Sequence, residues 1–213
     1  FFQHILANKD KFRLQIIYTE INRDKNNKPY FKTYYYNVNK DLYFNPASTV
    51  KLPASILSLQ KLNELNTKGV NKNTILQIDS VRTPQTKQLH DKTAENGYPS
   101  IAHFIKEALI ISENNPYTRM YEFLGQEYLN KELWKRGYNE ARIIRRFASF
   151  DEEQNRYTNP MRFLNNEGAL LYSRPEAYCN ITFNFPKQSI LIAKNHWDNN
   201  DNLHEGPMDF TKH

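Results

Sequence analysis

Ser48 and Lys51 stand three residues apart at the head of an apolar stretch, directly after Tyr43-Phe44-Asn45-Pro46-Ala47. On a helix that spacing puts a hydroxyl and an amine on one face, within reach of each other. A serine becomes a nucleophile when a base takes its proton, and a lysine acts as that base only where burial or nearby cations favour its neutral form. A buried helix start supplies both conditions. The same pattern recurs at Ser58-Leu59-Gln60-Lys61. At ordinary frequencies of roughly 6% for each residue type, chance alone gives about one Ser-x-x-Lys in a chain of this length. Context separates the two. Ser58 falls mid-helix, where its hydroxyl is expected to bond back onto the preceding turn, whereas Ser48 follows Asn-Pro-Ala, which stops any earlier regular structure. The competing role for Ser48 is an N-cap, its hydroxyl accepting a backbone N–H two or three residues on.

A second polar group lies about sixty residues further along. Ile101, Phe104, Ile105, Ala108, Leu109 and Ile111 recur at helical spacing, and the run ends in Ser112-Glu113-Asn114-Asn115-Pro116. A new amphipathic run opens at Tyr117. Ser112 and Asn114 are therefore expected on a short connection between two helices, where side chains can face a cleft; ordinary turn chemistry is the alternative.

The elements that must position these groups follow from the pattern of the whole chain. A short helix is expected over 2–11, then strands over 14–21 and 30–38 joined by Asp24-Lys25-Asn26-Asn27-Lys28. The central helix, 48–65, carries Val50, Leu52, Ile56, Leu57, Leu59 and Leu62 on more than one side and is expected to be buried. An extended piece over 76–81 and a loop over 83–99 precede the 101–111 helix. Helices over 117–125 and 129–136 follow; 161–171 fits either type of element, and 189–194 reads as a strand returning to the sheet. The spacing predicts an α/β architecture, a helical lobe inserted into a sheet lobe.

These motifs, in this order, resemble the penicillin-recognising serine hydrolases, especially the class A β-lactamases. Phe44-Asn45-Pro46-Ala47-Ser48-Thr49-Val50-Lys51 is close to that family's nucleophile segment, and Ser112-Glu113-Asn114 to its second motif. The likeness runs from about residue 10 to residue 125. It implies a β-lactamase/transpeptidase-like fold, with a helical lobe over about 48–165 in one domain spanning 1–213, and an antiparallel sheet flanked by helices. It further implies that Ser48 is acylated, that Lys51 exchanges its proton, that Ser112 relays the proton to the leaving group and that Asn114 holds the substrate's amide. The backbone N–H of Ser48 would form part of the oxyanion hole. Export to the periplasm or outside the cell is implied as well.

Two departures from the family pattern bear on mechanism. Class A enzymes carry a glutamate that activates the deacylating water. Aligning the corresponding stretch here on Arg145 and Arg146 puts Phe147 at that position. Asp151 and Glu152 are the carboxylates able to substitute, and Asp151-x-x-x-Asn155 keeps the spacing, although a solvated loop facing the basic run is the stronger account of them. The third motif, Lys-Thr/Ser-Gly, is missing: Lys135-Arg136-Gly137 comes too early, and His204-Glu205-Gly206 comes at a plausible place but inside a polar Asp-Asn-rich loop. The family's last strands and terminal helix would follow His213, so the sequence reads as lacking the C-terminal part.

Composition narrows the classes further. The 213 residues are 39% hydrophobic and hold no apolar stretch long enough for a membrane span. Cys179 is the single cysteine, and the six histidines, among them His90, His103 and His196, are dispersed; no metal and no cofactor are expected. A net charge of +6 and the run Lys135, Arg136, Arg142, Arg145 and Arg146 come with no nucleic-acid motif. They suit a basic surface attracting an anionic substrate, such as a carboxylate-bearing peptide or a β-lactam. Three functions stay open: a serine hydrolase acting on β-lactams or cell-wall peptides, a penicillin-binding peptidase or sensor with slow deacylation, and a silent binding domain on the same fold.

Overall fold

The structure is a computed structural model, and it describes residues 2–184, 191–192, 195–197, 202–206 and 208–209. Helix α1 (Phe2–Ala7) buries nothing and leads into a hairpin of β1 (Ile16–Arg23) and β2 (Pro29–Tyr36), paired from Ile16 opposite Tyr36 to Arg23 opposite Pro29. The turn between them is tied by Asp24, whose Oδ1 accepts the N–H groups of Asn26 and Lys28, both at 2.9 Å. Ile17, Ile21, Phe31 and Tyr35 share one face of the hairpin and are all more than 60% exposed.

Four helices form the main core. A 3-10 turn (Ala47–Val50) opens α2 (Lys51–Leu65), and α3 (Ile101–Ile110), α4 (Asn114–Leu124) and α5 (Gln126–Lys135) pack with it. Helix α4 is buried from Pro116 to Leu124 on every side, which an amphipathic reading of its sequence did not anticipate. It tolerates this because its two charges are answered: Glu122 pairs with Arg119 at 2.9 Å and with Arg146 at 2.8 Å, the latter reaching in from the loop after α5. The helix also begins three residues earlier than the apolar pattern indicates, so Asn114 is its first residue. Helix α2 departs from expectation in the other direction. Val50, Leu57 and Leu62 are buried, but Leu52 and Ile56 are more than half exposed, because no described residue covers that second apolar face.

The sheet beside the helices is antiparallel, ordered β3 (Ile75–Ile78), β4 (Met161–Leu164), β5 (Leu170–Arg174). The ambiguous 161–171 stretch therefore resolves into two strands, reversed at Asn165 to Ala169, where the Asn165 carboxamide accepts the N–H groups of Glu167 and Ala169. Leu76, Ile78, Met161 and Phe163 point from it into the helical core. Of the expected 189–194 strand, Leu191–Ile192 forms β6, pairing with β9 (Met208–Asp209); the rest lies outside the described residues. His204 and Glu205 sit on β8 (Leu203–Glu205), paired with β7 (Asn195–Trp197), rather than in a loop. No helix among the described residues is long and apolar enough to cross a membrane.

Candidate active site

The segment before Ser48 is shaped by its own side chains. Asn45 Oδ1 accepts the Ala47 N–H at 2.9 Å, and the Thr49 hydroxyl and N–H both donate to Pro46 O. Ala47 takes a left-handed φ of +44°. The 3-10 turn then projects Ser48 to the surface while Lys51, one turn on, is only 1% exposed. Ser48 caps no helix: neither the 3-10 turn nor α2 has a side-chain cap. Its Oγ lies 3.2 Å from Lys51 Nζ.

Lys51 Nζ is the hub of the site. Besides Ser48 Oγ it reaches Ser112 Oγ at 3.0 Å, Ser112 O at 2.5 Å and Asn114 Oδ1 at 2.9 Å. Four oxygens surround a group that has three N–H bonds when charged and two when neutral. In the neutral form its lone pair can accept a proton from either serine hydroxyl. Burial lowers the pKa of Lys51, with the Glu113 carboxylate pulling the other way. The Phe147 ring is centred 5.5 Å from Nζ, at cation–π distance.

Ser112 is delivered by the end of α3. It follows the C-cap residue Ile111 with φ +56°, the position where glycine is the usual choice, while Glu107 O accepts the N–H groups of Ile111 and Glu113. A serine tolerates this conformation only where its surroundings hold it. Here both its hydroxyl and its carbonyl are fixed on Lys51. Sequence spacing pointed to the Ser112 hydroxyl; the carbonyl's part depends on the left-handed backbone and left no sequence signal.

The loop after α5 supplies the far wall. Arg146 is fully buried: besides Glu122 it donates to the carbonyl of Tyr157 at 2.5 Å, and its backbone N–H donates to Asn155 Oδ1 at 2.8 Å. This anchoring places Phe147 against Tyr117, with ring centroids 4.3 Å apart, and its N–H on Thr118 Oγ1 at 3.2 Å. Asp151 and Glu152 are engaged elsewhere. Asp151 caps a short helix α6 (Glu152–Arg156) in a reciprocal capping box with Gln154, and Glu152 is exposed, 3.7 Å from Arg156. The arginines of this stretch are not a free basic face either, since Arg136 pairs with Glu132 and Arg142 lies over Trp134.

The second Ser-x-x-Lys behaves differently. Ser58 is completely buried and its Oγ has no hydrogen-bond partner among the described residues, so it does not bond back onto the preceding turn. Lys61 points to the end of α4 and donates to the carbonyls of Phe123 and Leu124. An apolar groove of about 720 Å³ runs along α2 past Tyr43, Phe44 and Ile56, but neither Ser48 nor Lys51 lines it.

Comparison with curated proteins and with solved structures gave no match. A family model described as the β-lactamase enzyme family matches residues 2–169, which hold the hairpin, the four core helices, the Ser48–Lys51–Ser112 cluster and the Arg146 loop. A match across that much of the chain settles membership, so the protein belongs to the β-lactamase enzyme family.

Proposed function

We propose that the protein is a serine hydrolase that forms an acyl-enzyme at Ser48, with β-lactams or cell-wall peptides as the substrate class. The observation that carries this reading is the buried Lys51 amine held between Ser48 Oγ and Ser112 Oγ. Neutral Lys51 takes the Ser48 hydroxyl proton as Oγ bonds to the substrate's carbonyl carbon. The resulting oxyanion needs preorganised donors, of which the Ser48 backbone N–H is one. Collapse breaks the C–N bond, and Ser112 passes the proton from Lys51 to the departing nitrogen. Asn114, whose Oδ1 is on Lys51, has its amide N–H groups for the substrate's amide carbonyl. Export of the protein, and a helical lobe inserted into a sheet lobe, belong to the same reading and are supported by family membership.

Slow deacylation is the second reading, and one contact favours it. An aromatic ring, Phe147, stands beside Lys51, while the nearest nominated carboxylates are committed to α6. The acyl-enzyme would then outlive its formation, as in a penicillin-binding peptidase or sensor. Incubation with benzylpenicillin or a fluorophosphonate, followed by peptide mass mapping, tests the common core. The added mass is expected on the peptide holding Ser48 and absent from Ser58; folded protein that gains no mass from either reagent contradicts the hydrolase reading.

A further inference from the structure

Away from the Ser48 cluster, α3 and the loop before it bring together a group of side chains whose lone pairs outnumber their hydrogens. His103 and Glu107 lie one turn apart on α3, and Asp91 reaches them from the preceding loop. His103 Nε2 is 3.4 Å from Asp91 Oδ2 and 3.3 Å from Glu107 Oε2, and the three side chains are 14%, 11% and 15% exposed in that order. Thr93 Oγ1 lies among them, 2.6 Å from Asp91 Oδ1, 2.6 Å from Glu107 Oε1 and 3.0 Å from His103 Nε2.

The proton count is what makes this more than an acidic surface. One threonine hydrogen cannot serve two carboxylates and an imidazole, and one imidazole hydrogen can only be shared, at long range, between the two carboxylates. Gln88 Nε2 and the Thr93 N–H each donate to Asp91, but neither reaches Glu107. Two carboxylates and a ring nitrogen are left converging with too few hydrogens between them. A cation at their centre resolves the deficit. The two separations from His103 Nε2 fit one: a tetrahedral ion with bonds of about 2.0–2.1 Å has ligands about 3.3–3.4 Å apart, and the three ligand atoms all lie within 4.8 Å of one another.

We propose that Asp91, His103 and Glu107 form a binding site for a divalent transition-metal ion, Zn²⁺ by its one-nitrogen, two-carboxylate donor set, with Thr93 Oγ1 beside the fourth position. The ion clamps the 83–99 loop onto α3. From there two connections lead toward the catalytic segment. Gln88, which holds Asp91, also accepts from Asn115 and Arg119, and the carbonyl of Glu107 receives the N–H of Glu113. The site thus braces the turn that carries Ser112 without contributing a group to it.

The test is a Zn²⁺ titration by calorimetry of protein first stripped with EDTA and then freed of the chelator, alongside His103→Gln, Glu107→Gln and Asp91→Asn, each checked for folding by circular dichroism. One equivalent should bind to the parent, at least about tenfold more weakly to every folded variant, and Zn²⁺ at 100 times Kd should raise the parent's Tm by roughly 5–10 °C. Histidine ¹⁵N spectra of the parent alone add an arm that needs no variant: His103 Nε2 is the ring nitrogen that should shift. Absence of saturable binding, undiminished binding to folded variants, or a shift confined to other histidines overturns the proposal.

Discussion

The proposed chemistry rests on the Lys51 amine, and its environment sets the direction of its pH response. Because burial lowers its pKa, the neutral amine is reached at lower pH than in an exposed lysine. Acylation of Ser48 should therefore speed up as pH rises through that titration and then level off. Lys51→Ala should lower the rate by roughly 10²- to 10⁴-fold and abolish this rise, in stopped-flow measurements with a fluorescent penicillin. Ser58 offers a contrast at the same scale. Its buried hydroxyl has no partner among the described residues, so Ser58→Ala removes an unmet polar group and should stabilise the protein by about 1 kcal/mol, seen as a Tm higher by roughly 2–4 °C. The Ser48–Lys51 relation was legible in the sequence because helical geometry alone fixes residues three apart. The Asp91–His103–Glu107 group was not: only the His103–Glu107 turn is local, and Asp91 and Thr93 arrive through a loop whose path no periodicity encodes.

Among the elements, the loop between α5 and α6 decides what stands beside Lys51. Its anchor is Arg146, which also shares Glu122 with Arg119 inside the core. Arg146→Met leaves part of the Glu122 charge unanswered and should destabilise the fold by about 3–5 kcal/mol in urea unfolding. It should also free Phe147 from Tyr117. On the proposed function the same loop bears on turnover. With Asp151 capping α6 and Glu152 at the surface, a chromogenic cephalosporin should give a burst of about one equivalent and then a slow steady state. Asp151→Asn and Glu152→Gln should leave that steady state unchanged; its loss in either variant would identify a working base. The hydrophobic pattern located α2, α3 and α5 to within a few residues and misjudged how two of the helices are used. Periodicity reports which side chains are apolar, but whether a face is covered depends on the partner. Thus α4 is buried with its charges met by a pair within the helix and by Arg146 from a distant segment, while Leu52 and Ile56 of α2 stay exposed.

For the molecule as a whole, stability and pH are linked through Lys61. Burial, and then the charge of Arg174, bring its pKa down to about 7 against the opposing pull of Glu64. In the unfolded chain the group keeps its ordinary value of 10.5. Between those values the unfolded chain binds a proton that the folded protein does not, so stability rises with pH across the window and is lowest below it. Urea unfolding between pH 7.5 and 8.5 should show a gain of about 1 kcal/mol per pH unit, flattened in Lys61→Met. At higher pH the Cys179 thiol, whose pKa burial raises, works in the opposite sense. The β1–β2 hairpin has a different kind of consequence. Each strand pairs only with the other among the described residues, and Ile17, Ile21, Phe31 and Tyr35 face outward from it. Two open edges and an oily face are a template on which further copies can stack, a process whose rate grows with the square of concentration or faster while unimolecular unfolding ignores it. Storage lifetime should accordingly be set by how concentrated the sample is, and dilution, more than cooling, should preserve it.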